Sequence, residues 1–403
     1  MLEIYSAYWS WGSMIFYLIL GLMAVWGLNK AYDNTWSDEN DDSGYVDKRI
    51  LVISLIWTFF ATFRVLASGI GGTDAGGYAM FFQNCLDSEY TDWMEHVASD
   101  RGYKWLNVIV RSVTDNYHVL FALTYGFMAW TFMTFVKVFM PKQISYAPFL
   151  LTIYLYLVGF NTLRSNLGTA VLLLAAIALG EKKWIQACVW AALAFTMHKM
   201  MAVYALAIPF CWFFQQRKLK IYHVVALIFA SSIVAGIIQP WFIQYTEEVD
   251  LSGAYGAYAR MSLERDFTDN YWKIAFEQMV LGVAMVLLYK RTTAALDEEE
   301  DEEYAWRMRM IWLFCAFDMI MIPVAYIMNI WRAYEIFYMP RIVMWAWLIG
   351  LVLDSKPEKV RSLLNVGLLM FVAAWIIFRV YRTYAPASLM PYIFDWQALP
   401  FVN

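Results

Sequence analysis

Long apolar stretches separated by short polar links run through most of the chain. A helix needs about 20 apolar residues to cross the ~30 Å hydrocarbon layer of a bilayer. Stretches of roughly that length predict spans at 12–29, 50–67, 117–139, 144–160, 163–180, 221–240, 272–290, 310–328, 338–353 and 361–381. The pattern therefore predicts an all-α, polytopic bundle of transmembrane helices.

The apolar stretch 184–214 does not fit this scheme. Its 31 residues are too many for one ordinary span and few for two, and its middle carries the polar pair His198 and Lys199. Two short helices, 184–197 and 200–214, that turn back at this pair would solve the problem. Irregular backbone at membrane depth is tolerated only where protein or a water-filled cavity covers it. The hairpin raises the prediction to about twelve crossings and indicates a cavity at the turn.

Composition supports a membrane protein. Hydrophobic residues make up 61% of the 403 positions and charged residues 16%, so no soluble core could bury the apolar surface. We expect a single integral membrane domain over residues 1–403. The formal charge of −4 says little, because a bilayer separates the charges into two populations, and no nucleic-acid partner is implied. The four cysteines show neither a disulfide framework nor metal-ligand spacing.

The two types of cationic residue are distributed differently. Every loop satisfies the positive-inside rule if both termini lie outside, and the cytoplasmic side then holds eleven Lys and six Arg. The outer side holds three Lys but ten Arg, and it includes the loops 68–116 and 241–271 and the aromatic tail 382–403, which we expect to cap the outer face. Arg grips phosphate with a planar fork. The surplus suggests an outer site for a phosphate-bearing, membrane-bound substrate.

A glycine-rich segment, residues 69–78, follows Arg64 at the outer end of the second predicted span. No strand precedes it and no Lys follows it, so a nucleotide-binding loop is a poor interpretation. Its glycines let the backbone turn tightly and approach a ligand, which would leave Asp74 exposed to that ligand. An ordinary turn that ends a helix explains the segment equally well.

Two further segments carry polar residues at predicted helix ends. Arg164 begins the predicted helix 163–180, where the unpaired N–H groups also attract anions, and Asn166 lies in the same turn. The alternative for Arg164 is a snorkelling interfacial side chain. His198 is the one histidine of the apolar interior, and with Lys199 it is either a functional pair or a structural residue at the helix break.

The segment 329–341 joins two late spans on the outer side. Arg332 and Arg341 bracket aromatic residues such as Tyr334, which could stack on sugar rings or form an interfacial aromatic belt. Arg260 in the loop 241–271 could contribute more distantly. Asp318 is an acidic residue in mid-span, and a functional and a hydrogen-bonded structural role are both open for it.

Four short motifs follow one another in a recognisable order. They are Arg64 with Asp74 and Tyr78, then Arg164-Ser165-Asn166, then His198-Lys199, then Arg332-Ala333-Tyr334. Over about residues 50–350 the chain resembles the EpsG-like, Wzy-type exopolysaccharide polymerases, which are membrane glycosyltransferases of the C-type class. One departure is that Ser165 follows Arg164, where the family typically has Arg-Gln.

The resemblance implies a metal-free enzyme without a cofactor in the bacterial inner membrane, with its site on the extracytoplasmic face. Its substrates, as donor and acceptor, would be oligosaccharide repeat units on undecaprenyl pyrophosphate, and its product an exopolysaccharide or capsule. Chain-length regulator and flippase proteins would be its partners.

Within this scheme, the residues divide into catalytic and substrate-binding groups. Arg164 and Arg332 would stabilise the leaving pyrophosphate, and Asp74 and His198 compete for the role of base. The expected substrate-binding residues are Arg64, Tyr78, Asn166, Lys199, Tyr334, Arg341 and Arg260.

Other classes of protein remain open at this stage. A flippase for lipid-linked oligosaccharides would use the same Arg residues, but should show a polar path through the membrane and usually a repeat. A membrane acyltransferase could use an intramembrane His, although it has little use for many outer Arg residues. A C-type glycosyltransferase with a lipid monophosphate sugar donor is hardly distinguished by sequence.

Overall fold

The computed structural model describes residues 10–35, 47–66, 70–87, 100–142, 144, 146–215, 219–248, 268–327, 333–384 and 392–395. The regular structure of these ranges is helical, and the bridge between Arg64 and Phe394 is an isolated one. The helices are α1 (Trp11–Thr35), α2 (Lys48–Thr62), α3 (Ala75–Asn84), α4 (Arg101–Arg111), α5 (Tyr117–Val138), α6 (Tyr146–Asn161), α7 (Leu163–Gly180), α8 (Trp184–Met197), α9 (Met201–Ala205), α10 (Ala207–Phe214), α11 (Ile221–Glu248), α12 (Thr268–Leu287), α13 (Tyr289–Asp297), α14 (Glu302–Ile327), α15 (Ala333–Ile336), α16 (Tyr338–Leu353) and α17 (Glu358–Tyr384).

Length and hydropathy identify the helices that can cross a bilayer. Among the described residues, five helices qualify, α5, α7, α11, α14 and α17, and the bent pair α12 and α13 would make six. Shorter apolar helices lie within α1 and at α6, α8 and α16. The all-α class is therefore confirmed and the chain is a multi-pass membrane protein, whereas the number of about twelve crossings stays a prediction.

Helix α7 is the most enclosed of the long spans. Every residue in it is buried except Arg164, Leu172 and Ala176. Its neighbours α5 and α8 cover it, and α6 is buried almost as fully. In contrast, α11 and α17 expose large apolar side chains such as Phe229, Trp241 and Phe371, which suits a lipid-facing surface.

Contacts at both ends of 184–214 agree with the predicted hairpin, but its second helix, predicted over 200–214, is divided into α9 and α10. The helix stops at Met197 and restarts at Met201, and a second interruption falls at Leu206. The Trp184 ring lies 6.4 Å from that of Trp306 at the start of α14. The carbonyl of Gln215, one residue after α10, accepts a 3.3 Å hydrogen bond from Arg309, one turn further along α14. The chain therefore returns to the end of the bundle from which α8 departs.

Cationic residues predicted to face the cytoplasm gather at that end. Lys137 pairs with Asp47 at 3.3 Å, and Lys142 pairs with Glu299 at 2.7 Å. Asp301 accepts the backbone N–H groups of residues 303 and 304 and so caps α14. Within the acidic run 297–303, Glu299 thus holds a neighbouring loop and Asp301 holds a helix end.

Several predicted boundaries were wrong. Helix α2 ends at Thr62 rather than at 67, because the chain leaves the helix at Arg64, whose guanidinium donates to the Ala61 carbonyl. The stretch 272–290 is not one straight span, since α12 and α13 meet at a bend of 62°. The predicted loop 241–271 begins inside α11, which continues to Glu248. The residues 249–267 lie outside the described part of the chain.

A buried ion pair joins three helices in the second half of the bundle. The Arg341 Nε of α16 lies 3.2 Å from the Asp318 Oδ2 of α14, and both side chains are almost completely buried. Gln278 of α12 donates to the other carboxylate oxygen over 2.8 Å. These partners favour the structural role for Asp318 and account for part of the hydrogen-bonding capacity of Arg341.

Replacing Asp318 with Leu should leave the Arg341 charge buried without its carboxylate partner. Such a change typically costs about 3–5 kcal/mol, whereas replacing both partners with apolar residues is often close to neutral. We expect a strongly lowered thermal unfolding midpoint for D318L in detergent and recovery of most of it in the double variant D318L/R341M. Glu181→Ala, which breaks the exposed Lys183–Glu181 pair, is the control and should cost less than about 1 kcal/mol. Equal unfolding midpoints for D318L and E181A would contradict a stabilising role of the buried Asp318–Arg341 pair.

Candidate functional site

The buried guanidinium of Arg64 organises the glycine-rich segment. Its Nε donates to the Gly71 carbonyl over 2.9 Å, and its Nη2 donates to the Tyr125 hydroxyl over 2.8 Å and to the Phe160 carbonyl over 3.1 Å. The rings of Tyr125 and Phe160 also lie within 5.0 Å of the guanidinium carbon. Arg64 thus holds the glycine segment, α5 and α6 together.

Gly71 needs to be glycine for two reasons. Its φ of 82° is in the left-handed region, which side chains rarely adopt. A side chain there would also collide with the Val65 carbonyl. Consequently the segment can fold back over the end of α2 and present the next residues to the neighbouring helices.

Asn161 links this segment to the helix that carries Arg164. The Asn161 Oδ1 accepts from the Thr73 hydroxyl and from the Asp74 backbone N–H, each over 2.9 Å. Asp74 precedes α3 and is exposed. Because Asn161 ends α6 and α7 begins at Leu163, Asp74 and Arg164 lie at the same end of the bundle.

A buried carboxylate, Asp100, joins Arg164 to the helix break. Its Oδ2 lies 3.1 Å from the Arg164 Nε, and its Oδ1 accepts the backbone N–H of Lys199 over 3.0 Å. The Asp100 side chain is 1% exposed and that of Arg164 is 21% exposed. Arg164 therefore reaches the surface while its partner does not.

No local pattern in the sequence indicates this role for Asp100. It occupies the N-cap position of α4, where Asp usually caps the helix, but its side chain makes no cap hydrogen bond. The glycine at position 102 is the nearby sequence feature that could have indicated this contact. A Cβ there would lie 2.9 Å from the Thr196 Cβ, so only glycine lets α4 approach the end of α8 this closely. That approach brings Asp100 to Arg164.

His198 is buried at the break and has extended backbone. Its Nδ1 accepts the backbone N–H of Met200 over 3.2 Å, so a neutral ring carries its proton on Nε2. A Cβ on Gly168 of α7 would lie 3.1 Å from the His198 Cβ, which places the break one turn below Arg164. In this arrangement His198 presents a donor, not a base, at Nε2.

The other predicted residues of this end have different surroundings. Asn166 is buried and donates to the Thr162 hydroxyl over 2.7 Å. The Tyr78 ring contacts that of Tyr103 edge to face, with centroids 6.0 Å apart. Burial, together with the neighbouring Tyr78, raises the pKa of Tyr103, and the Arg164 charge offsets only part of this rise. Tyr103 is therefore a neutral phenol beside the candidate site.

Among the described residues, the candidate site brings together the motifs of Arg64, Asp74, Arg164 and His198. Arg341 lies in the ion pair with Asp318, and no described contact joins it to Arg164. Arg332 and Arg260 fall outside the described residues. Tyr334 belongs to α15, but its side chain also lies outside them. The roles predicted for all these residues stay predictions.

The tail contributes to the same end of the molecule. Residues 392–395 pair with the end of α2: the Val65 N–H donates to the Ile393 carbonyl over 2.9 Å and the Asp395 N–H to the Phe63 carbonyl over 2.7 Å. The Tyr392 hydroxyl donates to the Phe60 carbonyl over 3.0 Å. This short part of the tail flanks Arg64 and its glycine segment.

Comparison with known proteins identifies the class. The model of the EpsG family matches residues 49–394, which is most of the chain, and the protein belongs to that family. Membership indicates a membrane glycosyltransferase with an exopolysaccharide-polymerase type of function. Searches of curated proteins and of solved structures gave no significant match.

Removing the Asp100 carboxylate should loosen both elements that it joins. Hydrogen bonds to charged groups contribute about 1.5–3 kcal/mol, so Asp100→Ala should speed amide exchange by about ten- to a hundredfold around Lys199 and in α4. Hydrogen–deuterium exchange with mass spectrometry on the detergent-solubilised protein measures this change. Asp115→Ala, an exposed acid of the same loop, should leave both regions unaltered. Unchanged exchange at 196–201 in D100A would rule out the link.

Proposed function

We propose that this protein is a polysaccharide polymerase that joins lipid-pyrophosphate-linked oligosaccharide repeat units at the extracytoplasmic face of the bacterial inner membrane. The observation that carries the proposal is the link through Asn161, which places the exposed carboxylate of Asp74 at the same end as the partly exposed Arg164. The Asp74 carboxylate suits an acceptor hydroxyl, and the Arg164 guanidinium suits a pyrophosphate.

The charges closest to Arg164 favour an anionic group at the start of α7. Arg164, Lys199 and Asp100 together carry one net positive charge at the start of α7, where unpaired N–H groups add a further positive potential. The ion pair with Asp100 uses the Arg164 Nε and so orients the guanidinium. Such pre-placed donors stabilise charge that develops on a leaving group in a low-dielectric cleft.

The proposed reaction transfers the growing chain. The acceptor hydroxyl of an incoming lipid-linked unit attacks the anomeric carbon of the chain, and its proton passes to the Asp74 carboxylate. The bond from that carbon to the pyrophosphate oxygen breaks, and the electron pair leaves on the lipid pyrophosphate, which Arg164 stabilises. The products are a chain longer by one repeat unit and a free lipid pyrophosphate.

The surroundings of the two base candidates favour Asp74. Its carboxylate is on an exposed residue beside the glycine turn, whereas the His198 Nδ1 is already an acceptor for a backbone N–H. We assign His198 to holding the helix break against α7. Arg64 acts as a positioning residue, because its donors bind the carbonyl and hydroxyl groups described above.

Arg164→Lys keeps the charge but removes the bidentate fork, so it should abolish long chains while single repeat units remain. The measurement is a polysaccharide ladder on a gel from cells that lack the protein and are complemented with each variant at equal expression. Arg361→Lys, at an exposed position of α17, is the matched control and should give the wild-type ladder. A normal ladder from R164K would refute the pyrophosphate role, and repeat units that fail to reach the outer face would favour a flippase.

Asp74→Asn should lower the rate of chain extension about 10²–10⁴-fold, the usual contribution of a general base. His198→Asn offers a side-chain oxygen to the Met200 N–H and should retain long chains. Both rates are measured as the incorporation of labelled repeat units in isolated membranes, normalised to the amount of folded protein. Loss of activity in H198N with normal activity in D74N would transfer the base role to His198.

A further inference from the structure

Helix α4, which begins directly after Asp100, has an exposed apolar side. Trp105 and Ile109 are 64% and 60% exposed. These two residues are four apart, so they lie on the same side of the helix. Val113, two residues beyond the end of α4, is 85% exposed. Trp105, Ile109 and Val113 together form what we call the apolar stripe.

The other two sides of α4 have a different character. Tyr103, Asn107 and Val110 are buried and face the protein. Lys104 and Arg111 are seven residues apart, so they share a third side, distinct from the buried one and from the stripe. Helices that lie in a lipid–water interface combine a side of Trp and other apolar residues with a side rich in Lys and Arg. The residues of α4 follow this pattern.

Lipid-facing surfaces adjoin the stripe at both ends of α4. At its start, Gly102 packs against Thr196 of the apolar helix α8, and Leu193, one turn earlier in α8, is exposed. Beyond its end the chain enters α5, which is long and apolar enough to cross a membrane, and Val119 and Leu123 in the first two turns of α5 are exposed. Apolar surface that a membrane protein exposes on such helices contacts lipid. The stripe therefore continues a surface that lipid covers.

We propose that α4 lies in the lipid–water interface at the Arg164 end of the bundle, with Trp105 and Ile109 inserted into the lipid. The proposal does not depend on the proposed function. An indole ring suits this place because Trp favours the membrane interface. Asp100 directly precedes α4 and binds both the Arg164 guanidinium and the Lys199 backbone N–H. The bilayer surface thus holds in place, through α4, the carboxylate that orients Arg164.

The depth of α4 can be measured with spin labels on the full-length protein in lipid bilayers. Single cysteines are introduced into a Cys188→Ser background, because Cys188 is the exposed one of the four cysteines. Labels at Ile109→Cys and at Val189→Cys, an exposed apolar position of α8, should collide with oxygen, which concentrates in lipid. A label at Glu298→Cys, an exposed position of a polar loop, should collide with a water-soluble nickel complex instead. An Ile109 label that behaves like the Glu298 label would overturn the proposal.

The link from the bilayer to Asp100 is tested by making the stripe polar. If α4 faced water, Trp105→Gln with Ile109→Gln would change little, because both positions are exposed. In the interface the double variant loses apolar contact with lipid, so amide exchange in α4 and around Lys199 should become about tenfold faster. Hydrogen–deuterium exchange with mass spectrometry on the protein in lipid nanodiscs measures this change.

Trp105→Leu with Ile109→Trp is the matched control. It keeps the stripe apolar but changes its shape, and lipid chains adapt to either shape, so exchange should equal that of wild type. Wild-type exchange in W105Q/I109Q would show that the bilayer does not hold α4. Faster exchange in both double variants would show that specific packing of these side chains holds the helix, and this too would overturn the proposal. If W105Q/I109Q fails to fold, the spin-label measurement still decides where α4 lies.

Discussion

The arrangement of the candidate site depends on how Arg64 satisfies its hydrogen-bond donors. A guanidinium that is 2% exposed at the end of a membrane helix has little access to water, so carbonyl and hydroxyl groups of the chain must take its N–H groups. Three of these acceptors, Gly71, Tyr125 and Phe160, come from different segments. Their convergence on one side chain brings the glycine turn against the ends of α5 and α6. Asn161 can then hold Asp74, and α7 starts beside it.

Two carboxylates pair with arginines for which a substrate role was predicted, and their surroundings differ. Asp318 holds Arg341 where both side chains are almost fully buried and join three helices. Asp100 holds Arg164 at a helix end where the guanidinium still reaches the surface. A buried pair is costly to open, since separating it leaves a charge in a low-dielectric medium. The Asp100 pair can therefore serve a ligand in a way that the Asp318 pair cannot without large rearrangement.

The polar groups near Arg164 and the helix break belong to the same two segments, α7 and 198–214. A broken helix costs backbone hydrogen bonds, and here Asp100, His198 and the absence of a side chain at Gly168 allow the break to pack closely. The break places polar groups beside the Arg164 end of α7, while the helices on either side of the break have apolar surfaces. One local interruption of a span thus produces a surface that is polar at one end and apolar along the rest.

Much of this architecture was predictable from the apolar pattern. The helices at 117–138, 163–180, 184–197 and 338–353 agree with prediction to within a residue, since each is a long apolar run with polar residues at its ends. The break at His198 followed from the length of the stretch together with the polar pair at its middle. The bend after Leu287 could not be predicted, because no proline or glycine marks the point where the apolar helix α12 meets the polar helix α13. The early end of α2 also escaped prediction, since it depends on where the Arg64 side chain finds its acceptors.

The amino-acid sequence determined the all-α class, the apolar segments long enough to cross a membrane and the motifs that mark the family, because these follow from local hydropathy and residue order. The tertiary structure decided which acid meets which arginine. Three helices, α4, α5 and α6, separate Asp100 from Arg164 along the chain. In the sequence Asp100 resembles an ordinary helix cap, and only the close approach of α4 to Thr196 at Gly102 brings it to Arg164. A contact of this kind depends on the fit of two distant surfaces, and no local pattern records that fit.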